Sequence, residues 1–163
     1  MTESSSLLAP HDVSGLVAAI SRNSGEAGLG RFLEGYRWRV LAGFVRPRQL
    51  QRGHLLIAQG DRDRTLYFLE SGSLKVDIRT DGGLLQLALL GPGGVVGEGS
   101  FFSRLARTAT VSVYSDCKVW EMTPQDFDKL THNHPTVALA LSMALGAVMA
   151  SRMLDLSNRI AVT

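Results

Sequence analysis

At 163 residues, 45% of them hydrophobic and 20% charged, the chain has the composition of one globular domain with a single buried core, which excludes extensive disorder. A formal net charge of +2 is too small for a surface that tracks a nucleic-acid backbone, although the calculated pI is near 9.0. The sole cysteine, Cys117, excludes an intrachain disulfide and suits a reducing, cytoplasmic compartment.

The first residues, MTESSSLLAPHD, lack the basic and apolar regions of a secretory signal and read as a tail. Ser14 to Ile20 and Leu29 to Phe44 carry apolar side chains at helical spacing, the second through Leu29, Phe32, Leu33, Tyr36, Val40, Leu41 and Phe44; both predict helices. Arg22, Arg31, Arg37, Arg39, Arg46, Arg48 and Arg52 meet only Glu26 and Glu34 across residues 22 to 52. That bias reads as solvated faces, or as contact with an acidic partner or membrane surface.

From Arg46 onward the pattern changes to short runs separated by turn residues: LLIA, QGD, TLYFLE, SGS, LKVDIR, TDGG, LLQLALL, GPGG, and later TATVSV and KVWEMT. Strands at this spacing, with an Asp81-Gly82 turn between two of them, indicate an antiparallel sandwich or barrel. Gly72, Gly91 and Gly93 are expected at tight turns. The apolar run around Cys117 marks a buried strand thiol rather than a reactive one.

Beyond the strands, Thr123-Pro124-Gln125-Asp126 supplies an N-cap hydroxyl, a proline at the first helical position and a carboxylate two residues later, a helix start. Pro135 opens a second helix expected to reach about Leu156. Its uncharged stretch from Pro135 to Ser151 is 17 residues long, at the lower limit for crossing a bilayer, and is read instead as a buried or partner-covered helix. Ala138, Ser142, Gly146 and Ala150 recur every four residues and would let another backbone approach, either the domain's own barrel or the same helix of a second subunit. The chain thus divides into a tail and helix (1–28), a β-block with flanking helices (29–134) and a C-terminal helix (135–163).

The chemistry concentrates in residues 94 to 111, GVVGEGSFFSRLARTATV. Gly97 and Gly99 let backbone approach a ligand, and a short helical turn near Ser100 to Arg104 would aim amides outward, as anion sites require. Arg107 offers a planar fork matched to phosphate oxygens. Glu98 is repelled by an anion and is suited to accept hydrogen bonds from sugar hydroxyls. The set describes a phosphorylated ribose, while the alternative is that Glu98 and Arg107 pair with each other across the loop. His132-Asn133-His134 has a metal-like H-x-H spacing but no further ligands at suitable places, and no nucleophile with a base partner is apparent.

GPGGVVGEGSFFSRLARTATV resembles the phosphate-binding cassette of the cyclic-nucleotide-binding domains, and RGHLLIAQGDRDRTLYFLESGSLKV is similar to the family's upstream frame of strand, Q-G-D turn and strand ending in E-S-G. The resemblance spans about residues 30 to 158. It implies an antiparallel β-roll (a double-stranded β-helix jelly roll) flanked by N-terminal helices and a long C-terminal helix. It further implies a non-enzymatic cytoplasmic receptor for cAMP or cGMP, with neither metal nor cofactor. Glu98 would then accept from the ribose 2′-OH, Arg107 would hold the cyclic phosphate, and Gly97, Gly99, Ser100, Thr108 and Ala109 would complete the pocket. Thr108 after the arginine accompanies cGMP recognition in the family.

Departures are Gly99 where an aliphatic is usual, Ser100 for alanine, and Ala106 for proline. The last helix resembles the family's lid, with Arg152, Met153 or Leu156 covering the base. The resemblance also implies signalling through helix repacking, a homodimer through the C-terminal helix, no direct DNA binding, and a protein partner in trans such as a membrane transporter or channel. The rival expectation is a degenerate roll that dimerises without binding nucleotide.

Overall fold

The computed structural model describes residues 11–23 and 28–161, with side chains as far as residue 155. The expected tail at residues 1–10 lies outside the described residues. In chain order the elements are α1 (Ser14–Arg22), a 3₁₀ turn (Leu29–Arg31), α2 (Tyr36–Leu41), β1 (Arg46–Leu50), β2 (Leu55–Ile57), β3 (Leu66–Thr80), β4 (Gly83–Leu90), β5 (Val95–Val96), α3 (Glu98–Ser103), β6 (Thr110–Met122), α4 (Pro124–Asn133) and α5 (Pro135–Ala161). The antiparallel sheet runs β1-β6-β3-β4, with β2 also on β6 and β5 also on β3. The architecture is the expected β-roll with helices and a long C-terminal helix.

Two long strands organise the roll. The sequence suggests turns at SGS, but β3 continues for 15 residues and β6 for 13. The polar interruptions face one another, with the Ser73 and Ser115 hydroxyls 2.7 Å apart, and the register shifts there. Gly72 is therefore the hinge of a bulge rather than of a turn. Its φ is +82°, and a Cβ would lie 2.3 Å from the Asp116 carbonyl. Gly93 does make a turn, at φ +87°, where a Cβ would stand 2.7 Å from the Ala19 carbonyl of α1. The Asp81-Gly82 turn joins β3 to β4 as expected.

Strand alternation divides the interior in two. Tyr67 and Leu69 face a cluster inside the roll with Leu50, Ile57, Leu74, Val96, Val111, Val113, Cys117 and Val119. Leu66 and Phe68, with Trp120 and Met122, face a second cluster completed by α1, α2, α4 and α5. The Cys117 thiol is buried, and burial raises its pKa.

The helix expected over Leu29 to Phe44 is instead a 3₁₀ turn and a six-residue helix. The break comes at Gly35, φ +41°, and the Trp38 indole N–H donates to the Leu33 carbonyl across it. β1 was absent from the sequence reading because RPRQL shows no apolar alternation; its ladder to β6 defines it. Part of the basic segment is used internally: Arg46 pairs with Asp126 at 2.8 Å and Arg48 with Glu121 at 3.3 Å.

α4 starts with the capping box read from the sequence, Thr123 and Asp126 each bonding the other's backbone amide. α5 begins at Pro135 and continues to Ala161, one turn beyond expectation. By length and composition Pro135–Asp155 suffices to cross a membrane, but Val137, Ala138, Leu141, Ala144 and Leu145 are buried in the domain core. The small-residue stripe is reassigned accordingly. Ala138 belongs to the core and the Ser142 hydroxyl bonds the Ala138 carbonyl; the outward face carries Leu139, Met143, Gly146, Ala150 and Met153.

Candidate functional site

The site begins where β5 ends. Gly97 adopts φ +90° and caps α3. A Cβ there would lie 2.6 Å from the Thr65 carbonyl and 2.9 Å from the Arg107 guanidinium, so the glycine is required both for its conformation and for space. The first bond inside α3 runs from Phe101 N–H to Gly97 O at 3.1 Å, which leaves the amides of Glu98, Gly99 and Ser100 at the open end of the helix. Ser100 is buried and Gly99 exposed. Arg64, from the loop before β3, reaches the other end of α3 and donates to the Phe101 carbonyl at 3.1 Å, a cation at the negative helix end.

Arg107 is 4% exposed. Its two terminal nitrogens donate to Gly97 O at 3.0 Å, Thr65 O at 2.7 Å and the Asp63 carboxylate at 3.1 Å. Its main chain is fixed to the QGD turn, donating from N–H to Asp61 O at 2.7 Å and accepting at O from Gly60 N–H at 2.8 Å. The buried Nε–H of Arg107, by contrast, has no hydrogen-bond partner. A buried unpaired donor on a charged group is unfavourable by about 1–3 kcal/mol and more, and it is satisfied when an acceptor approaches.

Asp63 and Thr65 were missed at the sequence level. Asp63 accepts from the Thr65 hydroxyl at 2.9 Å through one oxygen while the other meets Arg107. Burial alone would raise its pKa, but hydrogen bonds from Thr65 and Arg107 outweigh it and hold the carboxyl below its ordinary range. The D-x-T spacing carries a readable local turn; the encounter with an arginine 44 positions away does not show in it.

The Glu98–Arg107 ion pair considered from sequence does not form, because each residue has another partner. The Glu98 side chain, 12% exposed, is paired with Arg152 of α5, and the second arm of Arg152 donates to the Val95 carbonyl at 2.6 Å. Of the three lid candidates, Arg152 thus reaches the site, although to the carboxylate rather than to a base. Met153 is 70% exposed, and the side chain of Leu156 lies outside the described residues. Thr108 is exposed and Ala109 half-buried on the strand approach to β6. His132 bonds the Asp128 carbonyl one turn back, and His134 stands edge-on to Phe44.

The sequence profile of the cyclic nucleotide-binding domain matches residues 47–134, more than half of the chain. The chain belongs to the cyclic nucleotide-binding domain family. It is 33% identical over 122 residues to the cAMP-activated global transcriptional regulator CRP of Escherichia coli, a match that takes 66% of this chain and 56% of the regulator.

Among solved structures, the catabolite activator protein of Thermus thermophilus superposes with a TM-score of 0.67 at 27% identity, over 79% of this chain and 61% of that one. A cyclic nucleotide-binding domain from Methylobacillus flagellatus has a TM-score of 0.78 at 17% identity, over 90% and 81%, a likeness of fold. The chain spans only part of the curated relatives it matches, down to 7% of a lysophospholipase nte1 of Neurospora crassa. The family is one of regulatory domains, and such enzymes share only the nucleotide-binding domain with this chain.

Proposed function

We propose that the protein is a non-enzymatic receptor for a cyclic mononucleotide, cAMP or cGMP, that passes occupancy to a partner by repacking α5. The observation that carries the reading is the Arg107 guanidinium, buried and oriented by two carbonyls and Asp63 yet retaining an unpartnered Nε–H. A cyclic phosphate oxygen would satisfy that donor with charge assistance, and the amides at the open end of α3 lie on the adjoining turn. Glu98, one residue past Gly97, supplies the acceptor for ribose hydroxyls. Gly99, Ser100, Thr108 and Ala109 border the same loop, and the Thr108 hydroxyl is in water, free to meet a base.

Calorimetric titration of the full chain with cAMP and cGMP tests this. Arg107→Ala should weaken binding by about 2–4 kcal/mol, roughly 30- to 1,000-fold. Equal affinities in wild type and variant would refute the assignment of the phosphate to Arg107, and no heat from either nucleotide at millimolar concentration would leave the degenerate-roll reading in its place.

The partner we favour is a second copy. The outward residues of α5, Leu139, Met143, Gly146, Ala150 and Met153, follow the alternating four- and three-residue spacing of a helix-pairing seam. Residues 135 to 151 contain no charged side chain, so a two-fold pairing brings no like charges together. Met143→Glu should convert a dimer to a monomer in sedimentation analysis. A wild-type monomer at micromolar concentration would remove the second copy as partner.

A further inference from the structure

We propose that Arg64 is a positioning residue of the candidate site: its guanidinium holds the carbonyl end of α3 to the roll, so that the open amides of that helix and the Arg107 guanidinium meet one anion together. The role rests on the receptor reading and adds to it a residue that acts without touching the ligand.

Residues 63 to 65, Asp-Arg-Thr, form a local turn in which the Asp63 carboxylate accepts from the N–H and the hydroxyl of Thr65, at 3.4 and 2.9 Å. The turn sends neighbouring residues to different parts of the site. Asp63 and the Thr65 carbonyl bind the Arg107 guanidinium at 3.1 and 2.7 Å, while Arg64, between them, donates to the Phe101 carbonyl at 3.1 Å and the Ser100 carbonyl at 3.4 Å. The Thr65 carbonyl also abuts the start of α3, 2.6 Å from the point a Cβ on Gly97 would occupy. Three consecutive residues therefore meet Arg107 and both ends of the helix.

The helix depends on such ties. It has six residues, too few to be stable without tertiary contacts, and the last carbonyls of a helix have no partner within it. The Ser100 carbonyl takes the Arg104 N–H at 3.1 Å; the Phe101 carbonyl takes Arg64. The buried Phe101 ring stands edge-on to Phe127 of α4, with centroids 5.1 Å apart, which holds α3 toward the helical core. Arg64 supplies the hold from the roll. A cation at this end matches the helix dipole, and among the described residues Arg64 forms no ion pair, so its charge is directed to the helix.

An anion is held by several donors at once, and each must stand within about 0.5 Å of its place. The buried, unpartnered Nε–H of Arg107 is the donor fixed by the roll. The amides of Glu98, Gly99 and Ser100 must be brought to it. Without Arg64, α3 follows α4 rather than the roll, and its amides leave the register that Arg107 sets.

The test uses the full chain with Arg64→Ala, Arg64→Gln and Arg64→Lys, titrated calorimetrically with cAMP and cGMP beside wild type and Arg107→Ala. Arg64→Ala and Arg64→Gln should bind about 10-fold more weakly than wild type, and Arg64→Lys, which keeps the cation, within about 3-fold of it. Nuclear magnetic resonance of the ligand-free proteins supplies a second readout. The amide signals of Gly99 and Ser100 should move in Arg64→Ala and return toward their wild-type positions in Arg64→Lys, while those of Leu74 and Val113 inside the roll stay in place.

Wild-type affinity in Arg64→Ala, with Arg107→Ala impaired, overturns the positioning role alone. A loss that Arg64→Lys fails to relieve does the same, since it would come from side-chain packing rather than from charge at the helix end. So do α3 amides whose signals stay put in Arg64→Ala. If wild type binds neither nucleotide, the receptor reading falls and the role of Arg64 falls with it.

Discussion

The two ends of the candidate site are built on different principles. At the Arg107 end every anchor belongs to the β-framework: Gly97 O, Thr65 O, Asp63 and the QGD turn hold one guanidinium that is 4% exposed. At the Glu98 end the arrangement depends on α5, whose Arg152 arrives from 54 positions away and remains partly in water. A charge enclosed by fixed carbonyls keeps its orientation, whereas Arg152 lies on α5 beyond the helix's core residues Val137 to Leu145 and is partly exposed. The first end is fixed by the roll itself, and the second is only as fixed as the C-terminal part of α5.

Substitutions that attack one end and spare the other sharpen this contrast. The largest effect is expected from Gly97→Ala. Its methyl would meet the Thr65 carbonyl at 2.6 Å and the Arg107 guanidinium at 2.9 Å, on a backbone of φ +90°, so about 3 kcal/mol of stability should be lost in urea unfolding. Loss of less than half that amount would mean that the Arg107 end is yielding after all. Arg104, at the far end of α3, is the one described non-glycine residue with positive φ, +61°. Arg104→Gly should raise stability by about 1 kcal/mol, because glycine adopts this conformation without steric penalty.

Arg152→Ala should lower stability by less than about 1 kcal/mol, the range of a partly exposed ion pair, well below the effect of Gly97→Ala in the same assay. The smallest effect concerns pH. Since the Asp63 carboxyl is held below its ordinary pKa by Thr65 and Arg107 against the opposing effect of burial, its contribution is complete above the unfolded value of about 3.9 and is lost as pH falls through the lower folded value. With the side chain 51% exposed, the loss should be a few tenths of a kcal/mol after solvent screening. It should vanish in Asp63→Asn when unfolding curves at pH 5 and pH 3 are compared.

Much of the framework was legible because local rules decide it. The capping box at Thr123 and Asp126, the Asp81-Gly82 turn, Pro135 as a helix start and the short helix after Gly97 all follow from residues within a few positions of one another. Continuity of β3 and β6 was not legible, since SGS reads as a break in one strand, and only the facing Ser115 with the clearance around Gly72 allows a bulge instead. β1 was invisible for a related reason: its strand character comes from pairing with β6 rather than from its own pattern.

By itself the sequence singled out a carboxylate, a guanidinium and a glycine-bracketed turn within residues 97 to 109 as the candidate site, because spacing along a short loop restricts what can share it. It also determined the period of most of the strands and of the terminal helices, and hence the class of the fold. Only the tertiary structure decided the partners: Asp63 rather than Glu98 for Arg107, Arg152 for Glu98, and the α5 face that remains in water. Charge pairing depends on distances set by chain crossings tens of residues apart, and a linear pattern carries no record of those distances.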